Sequence, residues 1–338
     1  MATDLVEVEQ MNNRKYGFKR FQAVLCVTSF FICSMVLAGE NVDKTLDVEQ
    51  DSLIEIEHIN GEATIKGWDK NQVRVVGELG EQTQEFRFER SGKSVVIEVE
   101  VKKSSKGWGW GSNSDSKDDL TIYVPHNSSV DYHSPNADLS ISEVFGTSEI
   151  DMINGDLKAV DLRGRINLKT VNGDIRSTDL QGEIKLDSVN GDIKAQHIEG
   201  EDIYLNTVNG DIKGSSNALE VNVASVNGDI DLELSDVNDL KANSVNGRIG
   251  IDLNLIEGGT VRASTVGGKV ELGFQSDVQA KFSLESHAGG SIRNNLTTDS
   301  PNKAKYGPRQ WLEFSTGNPN AWVDVSTVNG RIEVKERN

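Results

Sequence analysis

The chain has 338 residues, of which 36% are hydrophobic and 6% aromatic, and it contains 32 glycines. This composition argues against a thick globular core and is typical of a thin core of Val, Ile and Leu. The formal net charge of −18 argues against nucleic acids and anionic membrane surfaces as partners.

Residues 1–38 have the pattern of an export signal. Basic residues precede an apolar run from Phe21 to Ala38, and small or aliphatic residues end this run before Gly39. The pattern predicts Sec export with cleavage after Ala38. Met11 is an alternative start, because the acidic residues before it are unusual in such a signal.

An uncleaved inner-membrane anchor formed by residues 21–38 is the alternative to cleavage, since 18 apolar residues can span a bilayer. Polar residues within the run favour cleavage. The two cysteines of the chain, Cys26 and Cys33, lie in the same run. The mature chain would therefore have neither disulfide nor thiolate chemistry.

Residues 39–135 predict a less regular β part of the same architecture. Leu53–Glu57 alternates apolar and acidic residues, as a strand with one buried face does. Val95–Val101 and Leu120–Pro125 have the same character. Between them, residues 102–119 form a polar loop rich in Gly and Ser.

Residues 136–293 predict a regular parallel β-solenoid, an all-β fold also called a β-helix. The phrase Val-Asn-Gly-Asp-Ile recurs with asparagines 18, 18, 19, 18 and 19 residues apart. A fixed period of this length indicates stacked repeats of about 18–19 residues, each with two short strands and two corners. The phrase is centred on Asn154, Asn172, Asn190, Asn209, Asn227 and Asn246.

Two other β architectures compete with this interpretation. Asn-Gly is also a strong hairpin signal, so an antiparallel meander is an alternative. A meander does not require the same residue type at each phase, whereas a solenoid stacks like on like. A left-handed helix of hexapeptides would place its aliphatic anchors six residues apart. Here Ile175, Leu180, Ile184 and Val189 are five, four and five apart.

The repeated asparagines predict a structural ladder. Side-chain amides stacked about 4.8 Å apart can donate to and accept from the rungs on either side. Asn and Gly also tolerate the left-handed backbone conformation, which a tight corner was expected to need. The sequence therefore assigns the Asn-Gly series to the scaffold.

Residues 294–338 predict an irregular insert followed by a capping strand. Residues 294–320 contain three prolines, and Val328–Val334 then restores the repeat phrase. A solenoid must cover its last rung to prevent edge-to-edge pairing. We expect this C-terminal part to do so.

The chain resembles the putative-adhesin family of domain-of-unknown-function proteins built from β-strand repeats. The similarity rests on the export signal, the segment Ile56–Gly67, the strand Leu120–Pro125 and the Val-Asn-Gly-Asp-Ile repeat. It covers nearly the whole mature chain. The resemblance implies an exported envelope protein with a β-solenoid and no enzyme activity.

A column of aspartates follows the glycines, formed by Asp156, Asp174, Asp192, Asp211 and Asp229. Carboxylates about 4.8 Å apart in water repel by about 0.9 kcal/mol per pair, which invites a cation. A calcium-binding β-roll is one alternative, but its Gly-Gly-x-Gly-x-Asp loop is absent. Basic residues two positions later, Lys158, Arg176, Lys194 and Lys213, predict a charge-balanced surface instead. We expect no metal and no cofactor.

A carbohydrate-active enzyme, a polysaccharide lyase or hydrolase on a β-helix, is the second function class. Such enzymes need two carboxylates at a defined separation, and the pattern singles out no pair. The histidines are isolated and lack a metal-ligand spacing. An active site should appear as a break in the repeat.

The sequence therefore predicts a non-enzymatic envelope scaffold with an adhesin-like binding surface. Trp108 and Trp110, set among glycines, are candidate binding residues, since indole rings suit sugars or membrane interfaces. The expected partner is an envelope protein or a glycan, with end-to-end self-association as a further option. The expected location is the periplasm, the cell surface or the medium.

Overall fold

The structure, a computed structural model, describes residues 39–101 and 117–337. Within these ranges, the chain forms 24 strands joined in one sheet. In the same ranges, no helix has the length and hydropathy to cross a membrane. The expected signal at residues 1–38 and the candidates Trp108 and Trp110 lie outside the described residues.

The strands that precede or begin the regular repeat are β1 (Asn41–Asp47), β2 (Leu53–His58), β3 (Asn60–Trp68), β4 (Gln72–Glu78), β5 (Thr83–Ser91), β6 (Ser94–Val101), β7 (Asp118–Pro125), β8 (Ser129–Ser142) and β9 (Ser148–Asn154).

The remaining strands are β10 (Leu157–Asn172), β11 (Ile175–Asn190), β12 (Ile193–Ile198), β13 (Asp202–Asn209), β14 (Ile212–Ser216), β15 (Glu220–Asn227), β16 (Ile230–Ser244), β17 (Ile249–Thr265), β18 (Val270–Phe274), β19 (Ala280–Ser286), β20 (Ser291–Asn294), β21 (Asn302–Lys303), β22 (Gln310–Ser315), β23 (Ala321–Thr327) and β24 (Arg331–Glu336).

The prediction of an all-β parallel solenoid is confirmed. β10 and β11 pair in parallel along nearly their whole length, with Leu157 opposite Ile175 and Asn172 opposite Asn190. The following rungs keep this register with offsets of 18 or 19 residues, as in Ile184 opposite Ile203. Like residues therefore stack on like, and the antiparallel meander is excluded for the repeat.

Each rung has two corners and two faces, which we name once here. In the rung of β10 and its successor, the Asn corner is residues 171–174, the outgoing face 175–178, the opposite corner 179–183 and the return face 184–188.

The core lies between the two faces and is aliphatic. On the outgoing face Ile175 is fully buried and Arg176 points outward, while Ile184 and Leu186 are buried on the return face. This alternation follows the period of two that a strand imposes on its side chains. Burial of these side chains contributes about 1.5–3 kcal/mol each and drives the stacking.

The two ends of the stack do not follow the order of the chain. At one end, β2 and β3 pair with β8 on one side and with β6 and β7 on the other. Antiparallel strands then cover the end, β5 on β6 and β4 on β7, with β1 on β4. The less regular N-terminal part is thus continuous with the solenoid.

The C-terminal strand is not the cap, contrary to the expectation for residues 294–338. β23 and β24 lie inside the stack, between β17 with β18 and β19 with β20. The outermost strands are β22, antiparallel to β19, and β21. Val328–Val334 carries a complete copy of the repeat phrase, so it stacks directly on the rung that contains Val270.

The glycines of the Asn corner are needed for close approach, not for a left-handed backbone. Gly173, Gly191, Gly210 and Gly228 do not have positive φ, and neither do the asparagines that precede them. A Cβ atom added at Gly191 would lie 2.0 Å from the carbonyl oxygen of Gly173. The expected reason for these glycines was therefore wrong, because stacked backbones leave no room for a side chain.

The left-handed residues lie at the opposite corner instead. Glu143, Asp161, Asp179 and His197 have φ of 59°, 48°, 57° and 53°. They are 18 residues apart, so the same strained position recurs in successive rungs. Asp tolerates this conformation better than most residues do, because its short polar side chain can bond locally.

We expect Gly191→Ala to destabilise the protein by about 1–3 kcal/mol, because the added methyl group overpacks the contact with Gly173. Gly267→Ala is the matched control at the same corner. Its added methyl group meets nothing closer than 3.6 Å, so its effect should stay within about 0.5 kcal/mol. Thermal unfolding followed by circular dichroism measures both. Equal melting temperatures for the two variants would contradict the close-approach explanation.

Candidate binding surface

The repeated asparagines form a continuous hydrogen-bonded ladder. Each Nδ2 donates to the Oδ1 of the asparagine one rung earlier, at 2.8–2.9 Å, from Asn154 through Asn246. Asn154 donates to Asn136, a member that sequence reasoning missed because Ala137 replaces the glycine there. The ladder satisfies side-chain amides at the corner, which is a structural task.

The aspartates form a second ladder, which sequence reasoning did not foresee. Their Oδ1 atoms accept hydrogen bonds from the backbone N–H of the next rung at 2.8–3.0 Å. Asp174, for example, accepts from Asp192. On the inner side, the Ser188 hydroxyl donates to the Gly173 carbonyl at 3.2 Å. These bonds supply partners for corner backbone groups that strand pairing leaves over.

Basic residues of the outgoing face compensate part of the aspartate column. Arg176 contacts Asp156 at 2.8 Å and Asp174 at 2.7 Å, and Lys213 contacts Asp211 at 2.9 Å. The hydrogen bond from Arg176 lowers the pKa of Asp156. The pKa of Asp211 is lowered mainly by the backbone hydrogen bond from Asp229 and then by Lys213.

The sign of this pattern reverses in later rungs. Lys269 occupies the aspartate position and contacts Glu271 at 2.7 Å and Glu333 at 3.0 Å. Lys335 contacts Glu271 at 2.9 Å. Hydrogen bonds from Lys269 and Lys335 lower the pKa of Glu271 to about 2. Charge balance, not the identity of the acid, is what the Asn corner keeps constant.

The Asn corner therefore serves the scaffold. Its amides, hydroxyls and carboxylates bond to neighbouring rungs, and its charges are largely compensated. In residues 39–101 and 117–337, no group of three His, Cys, Asp or Glu side chains is placed to hold a metal ion. A ligand surface must be sought where the repeat changes.

A buried polar cluster lies in the N-terminal part. His58 Nδ1 is 3.1 Å from the Tyr132 hydroxyl, and His58 Nε2 is 3.3 Å from Asp118. Asp118 also accepts hydrogen bonds from Gly80 N and the Thr83 hydroxyl at 2.7 and 2.8 Å. Burial raises the pKa of Tyr132. His58, Asp118 and Tyr132 are at most 2% exposed, so the cluster joins β2, β7 and β8 rather than meeting a ligand.

A groove opens along the opposite corner from β12 onward, with a volume of about 610 Å³; we call it the corner groove. Its apolar floor includes Ile198 and Leu234, and Glu199, Glu233 and Asp252 project along it. The corner changes shape here, since the pairing register shifts after Ala195 in β12 and after Glu233 in β16.

Sequence reasoning named none of these groove residues, although the signal was present. The weaker glycine phrase of the opposite corner stops after Gly200. Position by position, Val160 and Thr178 give way to Glu233 and Asp252 in later rungs. A break in a repeat is where a site is expected, and this break lies at the corner opposite the asparagines.

We expect Asn190→Ala to lose two ladder hydrogen bonds and about 1 kcal/mol for each. Asn246→Ala should lose one, because Gly267 follows Asn246 in the stack and offers no amide. The difference in unfolding temperature between these two variants measures the ladder. Identical losses at both positions would mean that each asparagine acts only locally.

Stability should depend on pH through Glu271. Its folded pKa is lowered from 4.5 to about 2, so its stabilisation is complete above pH 4.5 and is lost as pH falls toward 2. Glu271→Gln should lose about 1–3 kcal/mol at pH 7 and flatten the melting curve against pH in this window. Glu183→Gln removes an exposed ion pair with Arg165 and should change little. An unchanged pH profile for Glu271→Gln would refute this assignment.

Comparison with known proteins places the chain in a family. Residues 52–335 match the family model described as Toastrack DUF4097. A search of curated proteins gave no match.

Aligned solved structures include a putative cell adhesion protein from Clostridium sporogenes ATCC 15579, with 11% identity over 88% of this chain and 100% of that chain, at a TM-score of 0.22. A putative adhesin from Bacteroides fragilis NCTC 9343 has 14% identity over 87% and 97%, at 0.34. One from Parabacteroides distasonis ATCC 8503 has 10% over 88% and 97%, at 0.30.

The resemblance to a family of β-repeat domains of unknown function is confirmed, whereas adhesion appears only in the names of those three proteins. The assignment rests on the match over residues 52–335, which is most of the chain. The chain belongs to the Toastrack DUF4097 family.

Proposed function

We propose that this protein is an exported cell-envelope scaffold that binds a partner along the side of its solenoid, without catalysis. The observation that carries the proposal is the division of labour between its corners. The Asn corner is occupied by ladders and ion pairs between rungs. The opposite corner departs from the repeat and opens into the corner groove.

Export is part of the proposal and is supported by the sequence pattern of residues 1–38. The mature protein would act in the periplasm or at the cell surface. An envelope protein or a glycan remains the proposed class of partner.

Side binding is favoured over end-to-end association. The outer strand β5 presents alternating charges, with Glu85, Arg87 and Glu89 pointing outward or lying half-buried. Inward and outward charges on an edge strand oppose pairing with another chain. A partner bound along the rungs would instead meet many weak contacts on a rigid surface.

The test is retention on isolated bacterial cell envelopes. The full chain is expressed in a Gram-negative host, and the proposal predicts recovery from the periplasmic or envelope fraction with Gly39 as the first residue. The purified protein should then sediment with envelopes in a saturable manner. A Glu233→Gln/Asp252→Asn variant should be retained less, while Glu62→Gln/Asp119→Asn, with the same charge change on adjacent rungs, should be retained normally.

Two outcomes would contradict the proposal. Recovery in the cytoplasm with residues 1–38 intact would remove the export claim. Release of soluble sugars or unsaturated products from the envelopes, abolished by Glu233→Gln, would assign the chain to the carbohydrate-active enzymes instead.

A further inference from the structure

The corner groove has the dimensions of an extended chain. Its lining begins at Ile198 and reaches Arg337, the last residue described. Five pairing steps separate these residues, through β14, β16, β17, β18 and β24. At about 4.8 Å a step the groove is about 24 Å long, which matches roughly seven residues of an extended polypeptide at about 3.3 Å each.

A glycine keeps the groove open near its far end. Gly273 lies between Asp252 and Lys335 in the stack. A Cβ atom at Gly273 would lie 2.0 Å from the Asp252 Oδ1 atom. The Asp252 carboxylate therefore occupies the space that a side chain at position 273 would fill, and it lies along the groove.

The carboxylates of the groove are not compensated as those of the Asn corner are. Among residues 39–101 and 117–337, no ion pair engages Glu199, Glu233 or Asp252. Asp211 and Glu271, two to four rungs away at most on the same face, each contact a lysine. Within the groove only Arg337 and His197 can oppose the negative charge.

The rest of the opposite corner adds to this negative field. Asp202, Glu220 and Asp239 stack on adjacent rungs where the return face begins. Repulsion from Asp202 raises the pKa of Glu220, with Asp239 and Glu201 acting in the same direction. Low-dielectric walls focus such a field into a cleft, so a cationic ligand is attracted before it makes contact.

We infer that the corner groove binds an extended polypeptide segment bearing several Lys or Arg side chains. Backbone groups of such a segment would meet the hydroxyls and amides of Ser215 and Asn254, and its cations would meet Glu199, Glu233 and Asp252. An acidic glycan would be repelled. A neutral glycan would find no aromatic platform, because no Trp, Tyr or Phe lines the groove.

This inference rests on the proposed function and names the chemistry of the partner. The probe is a fluorescein-labelled heptalysine peptide, capped at both ends, titrated with the full-length protein and followed by fluorescence anisotropy. We expect saturable binding that weakens with salt. Glu233→Gln/Asp252→Asn should weaken it about tenfold, while the matched Glu62→Gln/Asp119→Asn should change it less than about twofold.

A variant of opposite sign sharpens the test. Arg337→Ala removes the groove's own guanidinium and should strengthen heptalysine binding by about two- to fivefold. Lys66→Ala removes an exposed lysine on the outgoing face far from the groove and should leave binding within about twofold. Circular dichroism melting checks that each variant is folded.

Three results would overturn the inference. Equal weakening by both carboxylate variants would mean that the peptide responds only to net charge. Spermine displacing heptalysine completely, with equal affinity per charge, would assign the groove to small polyamines. Binding of a neutral chito-oligosaccharide that competes with heptalysine would assign it to glycans. If heptalysine fails to bind while envelope retention persists, the inference fails and the proposed function stands.

Discussion

The close stacking of glycine backbones at the Asn corner is the constraint on which the rest of this structure depends. With 2.0 Å between a would-be Cβ of Gly191 and the Gly173 carbonyl, only glycine fits. The same close approach brings neighbouring asparagine amides within 2.8–2.9 Å and lets each Asp carboxylate reach the next backbone N–H. One steric requirement thus fixes four columns of residues, and the regular phrase in the sequence is its record.

Electrostatics divides the molecule into two parts. Along the Asn corner, acid and base exchange places between early and late rungs, as Asp211 with Lys213 gives way to Lys269 with Glu271. The pairing is kept while the residues change, which indicates that local neutrality is what the corner requires. The opposite corner follows no such rule. Its uncompensated carboxylates stand out because the neighbouring column is balanced.

Much of the fold could be predicted from the sequence because the period is a direct consequence of stacking. The order of rungs at the C-terminus could not, since Val328–Val334 carries the same phrase wherever it stacks. Nor could the groove. Glu233 and Asp252 are two of 53 acidic residues, and only the pairing register shows that they lie on adjacent rungs. The left-handed position at Asp179 likewise depends on backbone geometry that a polar residue does not announce.

The place of β23 and β24 inside the stack bears on how the chain is assembled. β19 and β20 are synthesised earlier, yet they pair with strands that are made last. A ribosome or a translocation channel releases the chain from its N-terminus, so a gap one rung wide must wait between β18 and β20. The solenoid can therefore grow rung by rung only as far as β18. Completion of that end is a single late event that requires the whole chain, and early release of an unfinished polypeptide would leave β17 and β18 as open sheet edges.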